Sequence, residues 1–358
     1  IISFFAFHEL ALIPTFVMIG LYGRGDRRTT AWRATLYLGL ASMVLLAALL
    51  MIGTQAGFTF SGLKDFMAGG RELAHAELIG ALLIAGFGTL ISLFPFHSWA
   101  APAYASAPAP VAMMHAGVLK KFGLYGLFMF QPLMETGFLP WTNILLVLLV
   151  CNVIWVGYVT VNQKRLDLLL GNSSVMHMGY IFLAFAALVV SGSAEANPWA
   201  LKGAALLMLA HGLTIALLFL LCGQIEKQTG TLEINSLGGL STRLPRMAFV
   251  FGLAGMASIG LPGLANFPGE FMVFFSGFAG FSNGFGPVQI ATILCLWGLV
   301  IGAVYMLRAY RNIFQGDLSK ASAYATGLQP SERAANCFLV IALAVFGFFP
   351  TLVLQFFS

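Results

Sequence analysis

Long apolar stretches separated by short polar ones run through the whole sequence, and this feature constrains the fold more than any other. Crossing the hydrocarbon core of a bilayer as a helix takes about 20 mainly apolar residues, and many stretches here reach that length. Only 9% of the 358 residues are charged, whereas soluble domains carry roughly 25%. So few charges cannot cover a water-facing surface, which excludes a soluble globular domain, a disordered chain and a nucleic-acid-binding protein. The sequence therefore predicts an all-α integral membrane protein.

Ten segments have membrane-spanning length. Two of them contain helix-breaking residues near the middle. The third breaks at Pro95 and continues irregularly to about Tyr104, and the eighth carries Pro262, Gly263, Pro268 and Gly269. The ten predicted spans are 1–22, 31–53, 76–95, 108–130, 141–162, 166–190, 199–223, 247–281, 287–314 and 334–357.

The basic residues predict the orientation of these spans. If the first helix runs from outside to the cytoplasm, 13 of the 18 Lys and Arg residues fall in cytoplasmic loops. The outer loops then hold 3, which are Lys64, Arg71 and Lys202. The remaining two, Lys120 and Lys121, lie inside the fourth span. Such a bias follows the positive-inside rule, and it also explains the net charge of +5 without a nucleic-acid partner.

Three charged residues interrupt the apolar spans. Glu9 lies in the first, Lys121 in the fourth, and Glu270 follows the break of the eighth. A charge at membrane depth costs several kcal/mol, so each needs a functional or structural reason. A buried carboxylate and a buried lysine exchange protons readily as their separation changes. These three groups on three helices therefore predict a proton relay.

Three histidines lie in neighbouring spans and extend this candidate relay. His115, His177 and His211 belong to the fourth, sixth and seventh spans. A lone intramembrane histidine is equally well explained by an interhelical hydrogen bond. The assignment of these three histidines to the relay therefore depends on the charged groups in the same set of spans. Lys120 would point about 100° away from Lys121 on a regular helix, and we assign it no role from the sequence.

The two broken spans predict an internal repeat. Discontinuous helices in corresponding halves of a membrane protein mark ion sites in transporters built from inverted repeats. The backbone groups freed at each break must face a polar cavity or be buried in protein. Two halves then imply two half-channels that join in the middle of the membrane. Simple packing kinks remain the alternative, and they account for one break more easily than for two.

Five strings of the sequence resemble the antiporter-like proton-translocating subunits of respiratory complex I, nearest to the subunit M class that is equivalent to mitochondrial chain 4. The resemblance covers nearly the whole chain and implies fourteen helices, of which the ten here would be the fifth to the fourteenth. The chain opens at Ile1 in an apolar run without the features of a signal peptide, so we expect it to be part of a longer protein. The strings are FHELALIP, FPFHSWAAPAYASAPAPVAMMHAGVLKKFGLYG, SSVMHMGY, AHGLTIALLFLLCG and SIGLPGLANFPGEFM.

The resemblance implies an antiporter-like inverted-repeat bundle and roles for particular residues. Residues 1–130 would form the first repeat, 131–315 the second, and 316–358 a cytoplasmic loop with the C-terminal helix. Glu9 matches the essential glutamate of the family's fifth helix, and Lys121 matches the central lysine of its eighth helix. Glu270 matches the terminal acidic residue of the broken twelfth helix. Histidines of the family's hydrophilic axis or its neighbourhood correspond to His97, His177 and His211.

Several positions depart from the family pattern. The family expects a lysine in the broken seventh helix as the partner of the glutamate, and Leu90 takes that position here. Tyr104 replaces a histidine, and Asp167 stands where a lysine is usual. Two groups could take the place of the lost lysine. One is His115, which lies six residues before Lys121, or about 9 Å along a helix. The other is a cation from an adjoining subunit that pairs with Glu9.

The leading hypothesis is a proton-translocating membrane-arm subunit of an NADH–quinone oxidoreductase, in a bacterial inner membrane ahead of a mitochondrial inner membrane or a thylakoid. The four cysteines are scattered singly, which supports neither a disulfide framework nor a metal or iron–sulfur site. The chain itself would hold no cofactor, and NADH, FMN, iron–sulfur clusters and quinone would belong to partner subunits. Expected partners are the L-, N- and K-type membrane subunits, lipids and protons, with no nucleic acid. The alternatives are a subunit of a multi-component sodium/proton antiporter or membrane-bound hydrogenase, and a structural subunit that does not pump because of Leu90.

Overall fold

The computed structural model describes residues 1–279 and 284–357, and these residues fold almost entirely into helices. Among them the extended structure amounts to the isolated bridge between Arg165 and Glu233, which confirms the all-α prediction. In chain order the α-helices are α1 (Ile2–Tyr22), α2 (Arg27–Ala56), α3 (Phe60–Ala68), α4 (Ala76–Ile91), α5 (Ala100–Ser106), α6 (Ala109–Met114), α7 (Lys120–Met129), α8 (Thr142–Val161), α9 (Leu166–Ser191), α10 (Pro198–Thr229), α11 (Pro245–Ser258), α12 (Asn266–Ser276), α13 (Pro287–Phe314), α14 (Pro330–Phe348) and α15 (Thr351–Leu354).

Seven helical segments within the described residues are long and apolar enough to cross a membrane. They contain α1, α2, α8, α9, α10, α13 and α14, and each matches one predicted span. The other three predicted spans are each built from two shorter helices, which are α4 with α5, α6 with α7, and α11 with α12. The predicted eighth span ends at Phe281, which lies outside the described residues. The total of ten membrane crossings stays a prediction.

The two predicted breaks are present, but both are shorter than expected. The first begins at Ser92, and by Tyr104 the chain is again a regular helix. The second covers residues 259–265. Pro102 and Pro268 both occupy the third position of the helix that follows a break. The first four N–H groups of a helix have no intrahelical acceptor, so proline is tolerated there instead of prolonging the break.

Helix α9 forms the centre of the bundle. Almost all of its residues are buried, and it packs against α5, α8, α10, α12 and α13. Helices α10 and α12 approach closely through glycines. A Cβ atom at Gly269 would lie 2.8 Å from the backbone nitrogen of Leu207, and one at Gly203 would lie 2.9 Å from that of Val273. Small residues at such crossings let membrane helices pack backbone against backbone.

Polar contacts at the ends of the helices agree with the predicted alternation of the loops. At the end predicted to be cytoplasmic, Arg24 forms an ion pair with Glu226, and the guanidinium of Arg308 donates to the carbonyl oxygen of Gln163 at 2.7 Å. At the opposite end, the Trp141 indole donates to the Glu77 carbonyl oxygen at 2.9 Å. Predicted cytoplasmic loops therefore contact one another, and so do predicted outer loops. Helices α5 and α6 of the first predicted repeat pack directly against α9 and α10 of the second. These contacts do not separate the chain into two units, so the division into two repeats stays a prediction.

Candidate functional site

The break between α4 and α5 is closed by an asparagine of α8. The buried Asn152 side chain accepts a hydrogen bond from the Phe94 backbone N–H at 2.5 Å and donates to the carbonyl oxygen of Ser92 at 3.2 Å. Both backbone groups lie outside regular helix and would otherwise be unsatisfied in an apolar interior. This contact of Asn152 was not predicted from the sequence, because an uncharged polar residue in an apolar helix is a weak signal of a functional contact.

Glu270 lies in the second turn of α12, and its side chain points towards the second break. Only 3% of its surface is exposed, and its carboxylate fills the space where a side chain at Gly260 would lie. Gly260 has a φ of 80°, so the open backbone of the break and the absence of a side chain together make room for the carboxylate. The Oε1 atom of Glu270 is buried without a hydrogen-bond partner among the described residues, while the neighbouring Phe271 side chain is 56% exposed on the outer surface. Glu270 therefore faces the protein interior.

His177 lies between two backbone carbonyl groups. Its Nδ1 atom is 2.7 Å from the Ser173 oxygen and its Nε2 atom is 2.9 Å from the Ser258 oxygen. Carbonyl oxygens only accept hydrogen bonds, and a neutral imidazole has one N–H. A neutral ring therefore donates to one of the two oxygens, and the tautomer decides which one. The contact with the Ser258 oxygen lies at the last turn of α11, beside the break.

His211 lies next to His177 in a different environment. The two rings are 5.2 Å apart and nearly perpendicular. Both His211 nitrogens are buried without a hydrogen-bond partner among the described residues. The pair thus combines one histidine held at both nitrogens with one that is free to accept or donate. The side chains packed around them are those of Ser173, Thr214, Ile215, Leu218, Ser258 and Asn266.

Hydroxyl groups connect this histidine pair to the second break. The Ser173 and Tyr305 hydroxyls are 2.7 Å apart, and both side chains are buried. The Thr214 hydroxyl donates to the Asn266 side chain at 2.9 Å. The contact of Tyr305 was not predicted from the sequence, although a buried tyrosine in an apolar helix is expected to place its hydroxyl on a polar partner.

The fourth predicted span is continuous but contains a π-helical turn at His115–Leu119. Such turns are rare and are frequent at functional sites, and they rotate the residues that follow relative to a regular α-helix. The Lys121 ammonium donates to the carbonyl oxygen of Ala116 within this turn. Lys120 is buried as well, with 2% of its surface exposed. Neither the π-helical turn nor the burial of Lys120 was predicted from the sequence.

Glu9 lies at the edge of the bundle on α1. Its side chain is 30% exposed, and it accepts a hydrogen bond from Ser42 at 2.5 Å and lies 3.3 Å from His8. None of the ion pairs found within residues 1–279 and 284–357 joins Glu9 to Lys121. Leu90 is buried at the end of α4, and its Cβ atom would lie 3.7 Å from a Cβ atom at Gly123 of α7.

The packing of the helices connects several of the predicted site residues. His115 begins the π-helical turn that also holds the acceptor of Lys121, the Ala116 carbonyl oxygen. This turn packs against α10, the helix that carries His211, and the His211 ring contacts His177. The Tyr305 hydroxyl binds Ser173, whose carbonyl oxygen contacts His177. His97 lies within the first break, stacked on Phe94 with ring centres 5.3 Å apart. Buried ionisable groups therefore run from the first break through the centre to the second.

Comparison with known proteins identifies the family. Residues 1–295 match the family described as NADH:quinone oxidoreductase/Mrp antiporter, TM. The chain belongs to this family. It is 35% identical over 98% of its length to an NAD(P)H-quinone oxidoreductase chain 4 from Synechococcus elongatus, and it covers 65% of that protein. A second chain 4 protein, from Microcystis aeruginosa, is 34% identical over 94% of this chain and 60% of its own length. The chain therefore spans about two thirds of the length of these curated relatives.

Two solved structures share the fold. A chain of respiratory complex I from Thermus thermophilus, solved with bound NADH, superposes with a TM-score of 0.88 at 27% identity, over 100% of this chain and 73% of that one. A chain of an archaeal membrane-bound sulfane sulfur reductase superposes with a TM-score of 0.77 at 18% identity, over 99% of this chain and 69% of that one, which shows the fold alone. The integral membrane location and the predicted resemblance to antiporter-like subunits are confirmed.

Proposed function

We propose that this chain is a proton-conducting membrane-arm subunit of an NADH–quinone oxidoreductase, of the chain 4 type. The observation that carries the proposal is the set of buried ionisable groups His115, His177, His211 and Glu270, together with the half-buried Lys121. A protein that needed these helices only as a scaffold would have no reason to keep such groups in an apolar interior, because each has a desolvation cost. Protons would pass between Lys121, the two central histidines and Glu270.

The two halves of this set would serve as two half-channels. Glu9 and His115 would belong to the half that begins at α1, and His177, His211 and Glu270 to the half that ends at α12. Glu270 would mark the outward exit, since the break exposes backbone polar groups beside its carboxylate. The serine and tyrosine hydroxyls next to His177 offer intermediate positions for a proton.

The redox chemistry would take place in partner subunits. NADH, FMN, iron–sulfur clusters and quinone would be bound there, and the L-, N- and K-type membrane subunits would flank this chain in a bacterial inner membrane. Support comes from relatives whose names describe NAD(P)H-quinone oxidoreductases. The family description also covers Mrp antiporters, so exchange of sodium for protons is the second candidate function.

The Lys121→Ala variant tests the proposal in the intact complex reconstituted into vesicles. We expect proton pumping to be abolished, because the central carrier between the two halves is lost, while NADH–ferricyanide activity stays nearly intact. Lys64→Ala is the matched control, since Lys64 is exposed on the short helix α3. Normal pumping by a correctly assembled Lys121→Ala complex would support a structural subunit instead, and pumping that requires sodium would support the antiporter.

A further inference from the structure

Lys120 is a buried amine that the proposed relay leaves without a task. Its surface is 2% exposed, and its Nζ atom has no hydrogen-bond partner among the described residues. None of the four ion pairs in the described part of the chain includes it. Burying an unpaired charge is among the costliest arrangements in a protein. A lysine kept only for packing would be expected to reach an acceptor or the surface.

Aromatic rings surround Lys120. The Nζ atom lies 5.5 Å from the centre of the Tyr104 ring, within the range of a cation–π interaction. The His115 ring packs against the same tyrosine with centres 5.4 Å apart, and against Trp99 at 5.6 Å. Lys120 and His115 thus contact the same tyrosine ring, and Lys120 is the residue that follows the π-helical turn His115–Leu119. Lys120 therefore lies among groups that hold protons.

Four polar atoms of this neighbourhood are buried and unpartnered within the described residues. They are Nδ1 of His97, the hydroxyl of Tyr104, Nδ1 of His115 and Nζ of Lys120. Most buried polar atoms in proteins have a partner, so a group of exceptions in one place needs an explanation. Packing alone does not explain why these four atoms lack partners. A mobile proton explains it, because the same atoms then alternate between donor and acceptor.

We propose that Lys120 is a second proton-binding lysine of this chain and exchanges a proton with His115 and Lys121. This inference rests on the proposed function and adds a carrier to it. The lone pair of the neutral Lys120 amine takes the proton of the His115 imidazolium, which leaves a neutral imidazole and an ammonium over the Tyr104 ring. The ammonium then returns the proton to His115 or passes it to the neutral amine of Lys121. Both lysines directly follow the π-helical turn, Lys120 buried and Lys121 half-buried with its ammonium bound to the Ala116 carbonyl oxygen.

Two substitutions at position 120 separate proton transfer from a merely structural positive charge. Lys120→Arg keeps a cation that stacks on aromatic rings but does not give up its proton. Lys120→Met keeps the length and removes the charge. In the intact complex reconstituted into vesicles, we expect both variants to lower the initial rate of proton pumping at least about tenfold, as removal of a proton-transfer group does. Lys64→Met is the matched control and should pump within about twofold of the unmodified complex.

A double variant provides a readout that a packing defect would not reproduce. If Lys120 and His115 act as one unit, Lys120→Met combined with His115→Leu should pump no more slowly than either single variant. Normal pumping by assembled Lys120→Arg would overturn the inference, because a fixed cation would then suffice. If the arginine variant does not assemble, multiplicative losses in the double variant would overturn it as well. Loss of pumping in Lys121→Ala with normal rates in both Lys120 variants would refute this inference alone, whereas normal pumping in Lys121→Ala would refute the proposed function.

Discussion

The break between α4 and α5 and the break between α11 and α12 are closed by the same kind of contact from different side chains. In the first, the Asn152 amide binds the carbonyl oxygen of Ser92. In the second, the His177 imidazole lies at 2.9 Å from the carbonyl oxygen of Ser258. An amide does not titrate, whereas an imidazole is a titratable group. If His177 carries protons as proposed, closure of the second break depends on its protonation, and closure of the first does not depend on any titratable group.

The acidic residues of the two halves differ in how far the bundle buries them. Glu270 lies on α12 and is 3% exposed, with its carboxylate packed against Gly260 of the second break. Glu9 lies 30% exposed on α1, a helix whose described residues include one buried position, Ile19. The second half holds its acid within its own packing, while the first half leaves its acid near the surface. Substitution of Glu270 should therefore lower pumping more than substitution of Glu9.

The largest effect in this comparison is expected from Glu270→Gln. The amide has nearly the same shape and fits beside Gly260, but it neither binds nor releases a proton at physiological pH. We expect proton pumping by the reconstituted complex to fall at least about tenfold, in line with the loss of a proton-transfer group. Glu270→Asp keeps the carboxylate and should retain part of the rate. Equal pumping by the glutamine variant and the unmodified complex would remove Glu270 from the path.

The difference between the two closures predicts opposite outcomes for His177→Gln and Asn152→Ala. Glutamine can still donate to a carbonyl oxygen but does not titrate, so His177→Gln should assemble and lose pumping several-fold. Asn152→Ala removes a buried hydrogen-bonding group, which costs about 1–3 kcal/mol of stability, and should lower the thermal midpoint of the complex. Pumping per assembled Asn152→Ala complex should stay near normal. Thermal unfolding and pumping measured on the same preparations check both expectations, and the reverse pattern would break the comparison.

The fold and the charged part of the site were predictable from sequence, because both rest on strong local signals. Apolar length predicts spans, and Glu9, Lys121 and Glu270 stand out as charges within them. Lys120 was missed because its direction was inferred from a regular helix, and the π-helical turn before it has no recognised sequence signature. The pairing of His8 with Glu9 was missed for a related reason, since adjacent residues do not normally face each other on a helix.

Uncharged polar residues mark the other limit of the sequence argument. Asn152, Ser173 and Tyr305 sit in apolar helices where many similar residues have no special contact. Their importance depends on which helices become neighbours, and α8, α9 and α13 meet only in the folded bundle. Packing between distant segments decided these contacts, so no local pattern could have singled them out.

The smallest effects are expected at Leu90 and Glu9, where the family's usual pair is incomplete. Leu90 is 4% exposed and packs beside Gly123, one helical turn beyond Lys120. We expect Leu90→Lys to be tolerated, because an amine at this position would lie close to the polar neighbourhood of α7. Glu9→Gln should slow pumping by only about twofold, since Ser42 and His8 satisfy this side chain without a lysine.

His115 decides between the two substitutes for the missing lysine. If His115 carries protons toward the two lysines of α7, His115→Leu should be as damaging as Lys121→Ala, while Glu9→Gln remains mild. Parallel measurements of pumping and of NADH–ferricyanide activity on the same complexes separate transport from assembly. Should His115→Leu leave pumping unchanged while Glu9→Gln abolishes it, the histidine is not the substitute. The exposed part of Glu9 would then have to meet a cation of a neighbouring subunit, and the first half would depend on its surroundings for a step that the second half completes alone.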